Sequence, residues 1–230
     1  MTMMSARGFG RGTQGTDPSI ISGNATTNMS TTGFTQLTAV AGVDDGFAYI
    51  PTDASFNFFF FGTDYGKNNV VNGIYWNTNN VVGFGTGVNT ITWVANTGRG
   101  VLIGNADRRT NQFWYSPMTT SGTSKITQFL LFFQNIYNDG VTNAGQYRIR
   151  LIRSSTKQYI EVRIFKGSGG ANSGTISTTG QWNITNGTTF QGTYGSTFNS
   201  TFPADNTSFV LSSDINGNNW TFTNTAYVNI

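Results

Sequence analysis

The stretch QYRIRLIRSSTKQYIEVRIFK, residues 146–166, constrains the fold more than any other part of the chain. Tyr147, Ile149 and Leu151 alternate with Arg148 and Arg150. Beyond Ser155-Thr156, Ile160, Val162 and Ile164 alternate with Glu161 and Arg163. A period of two is the mark of a strand with two unlike faces. Folding about Ser155-Thr156 sets Tyr147 opposite Ile164, Ile149 opposite Val162, and Leu151 opposite Ile160. The same register sets Arg150 opposite Glu161, a cross-strand pair worth about 0.2–1 kcal/mol. A slip of one residue would turn the arginines onto the apolar face. The segment is therefore read as an antiparallel hairpin.

Its surroundings extend the pattern. KITQFLLFFQ (125–134) is a continuous apolar run of strand length, rich in β-branched and aromatic residues and without helix caps, which predicts a strand buried on both faces. Further short strands are expected at 47–50, 56–61, 69–71, 74–76, 81–84, 90–94, 101–104 and 112–115, each bounded by Gly, Asn or Pro. Asn72-Gly73 tolerates positive φ at both turn positions and is the strongest hairpin signal. Asn77-Thr78-Asn79-Asn80 predicts another turn. After GSGGANSG (167–174) the candidates are shorter and more polar: 175–177, 182–185, 188–190, 209–211 and 220–222. Charged residues are only 10%, which alone would permit disorder, but aromatics reach 14% and argue for a packed core. The expectation is an all-β fold, an antiparallel β-sandwich of jelly-roll-like form. Residues 34–230 form a single domain, with 167–230 supplying edge or inter-subunit strands. Residues 1–33, rich in Gly, Thr, Ser and Asn, read as an extended arm, flexible alone or ordered against a partner.

The chain has few groups able to do chemistry. It contains no His and no Cys, which removes serine and cysteine triads, HExxH sites, zinc-thiolate sites and disulfides. Asp44-Asp45 is the only adjacent pair of acids; in a strand the two would point to opposite faces and could not share a substrate, and Asp44-Asp45-Gly46 reads as a turn. A calcium ion held between loops is the remaining metal option, among Asp44, Asp45, Asp64, Asp107 and Asp139, all in turn contexts. GFGTG (83–87) and GSGG (167–170) lack the following helix that a phosphate cradle needs and read as turns or linkers. No enzyme, metal or cofactor is expected. Thirteen cations and eight acids precede Gly167, and two acids with no cation follow. That asymmetry could orient neighbouring subunits, but it is too weak for a nucleic-acid footprint. No apolar run approaches the roughly 18 residues of a membrane span. MTMMSARGFGRGTQG lacks the apolar core of a secretory signal, so folding in the cytoplasm of a host is expected.

What the chain does possess is aromatic surface. FNFFFFGTDYGKNNVVNGIYW (56–76) carries four consecutive phenylalanines, Phe58 to Phe61. Alternate rings are expected to enter the core while the others face a second sheet or a neighbour. Gly98-Arg99-Gly100 and Asp107-Arg108-Arg109 lie near Trp93, Phe113, Trp114 and Tyr115. The candidate interface or ligand contacts are Phe59, Phe61, Trp76, Arg99, Arg108, Arg109 and Trp114.

Two resemblances bear on function. FNFFFFGTDYGKNNVVNGIYWNTNNVVGFG looks like the opening of nidogen-type extracellular domains, carried by Phe58, Phe60, Gly62, Tyr65, Asn72, Gly73, Phe84 and Gly85, with ITQFLLFFQNIYNDG (126–140) similar to the later part. That resemblance implies a β-rich adhesive module. In overall character, with Asn/Thr/Gly-rich strands, few charges and a Gly-rich arm, the chain resembles coat and accessory proteins of large DNA viruses and phages. That implies a virion structural protein, a minor capsid or accessory coat or tail component, packing against copies of itself or a major coat protein. The alternative is a carbohydrate-binding or adhesin-like β-module with a glycan ligand.

Overall fold

A computed structural model describes residues 31–88, 90, 93, 96–105, 107–135, 143–165, 182–191 and 208–223. Residues 1–30 of the expected arm, the glycines at 167–170, the strand expected at 175–177 and most of that at 90–94 lie outside them. In chain order the strands are β1 (Thr35–Gln36), β2 (Val43–Asp44), β3 (Phe47–Tyr49), β4 (Phe59–Phe60), β5 (Thr63–Asp64), β6 (Gly73–Asn77), β7 (Val81–Gly85) and β8 (Arg99–Leu102). There follow β9 (Arg108–Tyr115), β10 (Thr119–Ser121), β11 (Ser124–Asn135), β12 (Asn143–Arg153), β13 (Lys157–Phe165), β14 (Ile184–Asn186), β15 (Ser208–Asp214) and β16 (Thr221–Thr223). One short 3-10 turn, Thr38–Val40, is the only helical element among the described residues.

The strands form an all-β sandwich. The large sheet runs β1-β9-β11-β12-β13-β15-β16, with β2 also on β9 and β10 on β11. The small sheet runs β14-β8-β7-β6-β3, and β4-β5 is a separate hairpin. Every ladder among the described strands is antiparallel. The two sheets share one core. Phe113, Phe129, Leu131, Tyr147, Ile149, Leu151, Ile160 and Val162 come from the large sheet, and Ile74, Trp76, Val82, Phe84 and Val101 from the small one. Each such aliphatic or Phe side chain contributes about 1.5–3 kcal/mol by leaving water.

The β12–β13 hairpin has the register read from the alternation: Tyr147↔Ile164, Ile149↔Val162, Leu151↔Ile160 and Arg150↔Glu161. Its second face, however, is not a solvent face. Arg148, Arg150 and Glu161 are buried, at 1%, 5% and 1% exposure. Arg150 grips Glu161 with two N–H groups, Nε to Oε1 at 3.1 Å and Nη2 to Oε2, and Arg148 Nη2 reaches Oε1 at 3.2 Å. The cross-strand pair is thus part of a dehydrated ionic cluster, in which breaking one partner costs far more than an ordinary cross-strand contact. β11 is buried on both faces at Phe129, Leu130 and Leu131, as its unbroken apolar run requires.

The phenylalanine row departs from the expected strand. Only Phe59 and Phe60 pair as a ladder, with Asp64 and Thr63. Side chains satisfy neighbouring backbone groups instead. Asp64 Oδ1 accepts from the Phe58 N–H at 3.1 Å. Gln158 accepts from the Phe59 N–H at 2.7 Å and donates to the Phe59 carbonyl at 3.0 Å. The ladder turns at Phe61 and Gly62, both at positive φ (47° and 77°), the signature of a tight two-residue hairpin turn. Phe56, Phe58 and Phe60 are wholly buried. Phe60 stacks on Phe84 at 4.0 Å and meets Trp220 at 5.5 Å.

Asn72-Gly73 is not the hairpin turn its sequence suggests, and 69–71 is not a strand. Asn69 Oδ1 accepts from the N–H groups of Val71 and Asn72 at 3.0 and 3.1 Å, which holds a loop there. Gly73 opens β6 because its backbone lies hard against its neighbours: a Cβ would sit 2.1 Å from the Asn69 carbonyl and 2.6 Å from the Tyr49 ring. The tight turn falls at Thr78-Asn79-Asn80, with Asn80 left-handed at φ 63°. The GFGTG stretch is likewise not a turn: Gly83, Phe84 and Gly85 belong to β7.

Glu161→Gln leaves two buried guanidinium groups facing an amide. Chemical denaturation should show a loss of about 3–5 kcal/mol. A loss under about 1 kcal/mol would mean that the cluster is solvated.

Candidate functional site

The outer face of the small sheet carries the exposed apolar groups. Phe47 stands on β3, and Tyr75 opposes Tyr49 across the β3–β6 ladder. The three rings meet edge-on, Phe47 to Tyr75 at 5.9 Å and Tyr49 to Tyr75 at 5.7 Å. They can pack so low because Phe47 lies against Gly87 and Tyr49 against Gly73, where a Cβ would clash. Beside them the 67–72 loop projects Val70 and Val71. Among the described residues, Phe47, Val70 and Val71 are the exposed large apolar side chains, at 42%, 60% and 74%.

This loop is held in place. Lys67 and Asn68 take left-handed backbone (φ 62° and 53°). Tyr49 Oη donates to Asn68 Oδ1 at 2.7 Å, and Tyr75 Oη donates to the Val70 carbonyl. The Asn68 N–H donates to Thr52 Oγ1 at 2.9 Å. Burial pushes the Tyr49 phenol up, so it remains a neutral donor at physiological pH. Both tyrosines thus spend their hydroxyls on the loop and leave their rings facing outward. The arrangement is a small, fixed, apolar platform without a nucleophile or base.

Acidic groups gather elsewhere. Asp44, Asp45 and Asp107 bring carboxylate oxygens within 4.8 Å of one another. Asp44 ends β2, but Asp45 is left-handed (φ 48°), which breaks the strand alternation and lets two adjacent acids converge. Oxygen donors alone would suit a hard cation such as Ca²⁺. The protein already supplies counter-groups: Asn79 Nδ2 donates to Asp45 Oδ1 at 2.8 Å, and Arg109 is the cross-strand partner of Asp44. Burial raises the Asp44 carboxyl above its ordinary value, Asp45 raises it further, and Arg109 opposes both.

The residues singled out from the sequence do not form one site. Trp76 and Arg108, expected as interface or ligand contacts, are fully buried in this structure. Trp76 Nε1 donates to Thr110 Oγ1 at 2.8 Å, and Arg108 Nε donates to the Gly104 carbonyl at 2.8 Å. Arg99 ties elements together. Its Nη1 reaches Thr63 Oγ1 and Tyr65 Oη, each at 2.6 Å, and its Nε reaches the Asn186 carbonyl at 3.2 Å. Phe61 packs edge-on against Phe60 at 4.8 Å, and Phe59 lies under the Arg153 guanidinium at 4.9 Å. Trp114 packs with Phe34 and Leu130 on the other face of the large sheet. Sequence reading missed Phe47, Val70 and Val71. Their signal was a pair of valines set among asparagines, a place where apolar residues have no local reason to stand.

Comparison with family models, with curated protein sequences and with solved structures found no match to this chain.

The acid cluster makes a prediction about pH. A carboxyl whose folded-state pKa is raised binds its proton more tightly in the native protein. Stability is therefore lost as pH rises from 3.8 through the folded value, and it stays lost at neutral pH. Asp44→Asn should raise the melting temperature at pH 7 and change it little below pH 3.8. Thermal unfolding across that range checks the sign. A lower melting temperature at pH 7 would mean that the Asp44–Arg109 attraction prevails.

Proposed function

We propose that the protein is a structural component of a virus particle, a minor capsid or accessory coat or tail protein, acting by packing against copies of itself or a major coat protein. The observation that carries this reading is the fixed apolar platform, with Val71 74% exposed at the crest of a pinned loop. Exposed apolar groups gathered on one face mark an interaction site more often than scattered ones do. A pre-ordered loop also loses little conformational freedom when a partner covers it. The low-charge, Asn/Thr/Gly-rich composition supports the reading, because a surface with few charges pays a small desolvation cost on assembly. Phe59 and Phe61, the rings first suspected of facing a neighbour, already have partners within the chain. The mortar in this reading is the Phe47–Val70–Val71 surface instead.

A second reading rests on the same rings. Phe47, Tyr75 and Tyr49 form an aromatic row on which a sugar could stack, as a carbohydrate-binding or adhesin-like module requires.

Sedimentation velocity separates the two. The wild type should form concentration-dependent dimers or larger species, and a Val70→Asp/Val71→Asp variant should sediment as a monomer with an unchanged melting temperature. Wild-type protein that stays monomeric, gains stability from a soluble glycan and loses that gain in Tyr75→Ala would replace the assembly reading with the second one.

A further inference from the structure

A cleft of about 210 Å³ opens where the β12–β13 turn meets the β10–β11 turn and the segment before β4. Its lining includes Asn57, Thr123, Lys125, Arg153, Ser154 and Ser155. Lys125 and Arg153 are direct cross-strand partners in the β11–β12 ladder. Like charges in that relation repel and destabilise a sheet. The register cannot relieve the pair, because a slip would invert both faces of two buried strands. Neither residue forms an ion pair among the described residues.

Neutral carbonyl oxygens hold both cations in place. Lys125 Nζ donates to the Ser55 carbonyl at 2.6 Å. Arg153 Nη1 lies 3.5 Å from the Asn57 carbonyl, and its guanidinium rests on the Phe59 ring. Two acids act on these cations through space, Asp64 on Arg153 and Asp53 on Lys125, but the contacts their carboxylates make are to other groups. Asp64 bonds Lys67 at 2.9 Å, Asn57 Nδ2 at 2.9 Å, and the N–H groups of Phe58 and Gly66. Asp53 accepts from the Ser55 N–H and hydroxyl. Asp214 lies opposite Lys157 in the β13–β15 ladder.

From this geometry we propose that the cleft is a binding site for a small oxyanion, held between Lys125 and Arg153. Ile215 also lines the cleft, and the Asn57 amide and the Ser154 hydroxyl are already engaged by Asp64 and the Lys157 carbonyl, so the hydroxyls of Thr123 and Ser155 are the groups that suit the polar body of an acidic sugar. At roughly 30 Å³ per water, the space exceeds a bare sulfate and accommodates one sugar ring carrying a carboxylate or sulfate. The site is independent of the apolar platform and of the assembly reading.

The test is an amide-resolved NMR titration at constant ionic strength with sodium chloride, sodium sulfate, glucuronate and glucose. Saturable shifts centred on 123–125 and 153–155 are expected with sulfate and glucuronate, and none with chloride or glucose. Glucuronate binding more tightly than sulfate marks a sugar-borne anion; equal affinities mark a free one. Lys125→Gln or Arg153→Gln should each weaken binding roughly tenfold or more. Lys125→Arg, which keeps the charge, should retain it. The proposal is overturned if sulfate and glucuronate act no differently from chloride, or if a folded Lys125→Gln/Arg153→Gln variant shows the same shifts.

Discussion

The pairing register of three central strands, β11, β12 and β13, governs the rest of this molecule. Side-chain period and pleat together make register an all-or-nothing choice. In the observed alignment Tyr147, Ile149, Leu151, Ile160 and Val162 enter the shared core. The same alignment closes Arg148, Arg150 and Glu161 into a buried ionic cluster on the reverse face. Any slip would place guanidinium groups against hydrocarbon on one side and strand leucine and isoleucine among charges on the other. Both faces therefore enforce one answer. The opposition of Lys125 and Arg153 is a consequence of that enforced alignment rather than an independent choice.

The aromatic wealth of the chain is divided between interior and surface by backbone chemistry as much as by hydrophobicity. Four consecutive phenylalanines would make a long, sticky edge if they formed a regular strand. Asp64 and Gln158 instead satisfy much of the backbone there, and a left-handed Phe61 turns the chain after two ladder residues. The rings are consumed by Phe84, Trp220 and Arg153. Among the described residues, the large apolar side chains that stay exposed are Phe47, Val70 and Val71, with Asp45 close to Phe47 in the chain and Lys67 in the same loop as the valines.

The boundary between local and tertiary information falls at particular residues. The β12–β13 register, the burial of β11 on both faces and the turn at 77–80 could be read directly, because each rests on alternation or turn chemistry within about 20 residues. The all-β sandwich follows from many such elements together. Asn72-Gly73 misleads for an instructive reason. The glycine is there to let Tyr49 and the Asn69 carbonyl approach, a demand made by residues that are not its turn partners. Trp76 and Arg108 stand as candidate contacts only while the strands that cover them are unknown. Asp44 and Asp45 look divergent until Asp45 is seen in left-handed backbone.

Residue order alone is enough to read antiparallel sheets, the facing residues of the central hairpin, and the closing of histidine and cysteine chemistry to this chain. Those are matters of period, composition and local conformational preference, and they need no knowledge of distant neighbours. Packing in three dimensions settles which polar residues are dehydrated, which phenylalanines are spent inside the chain, and where acids or cations meet. Each of those outcomes depends on contacts between segments far apart in the chain, as when Gln158 meets Phe59 or Asp107 joins Asp44, and burial is a property of the packed whole.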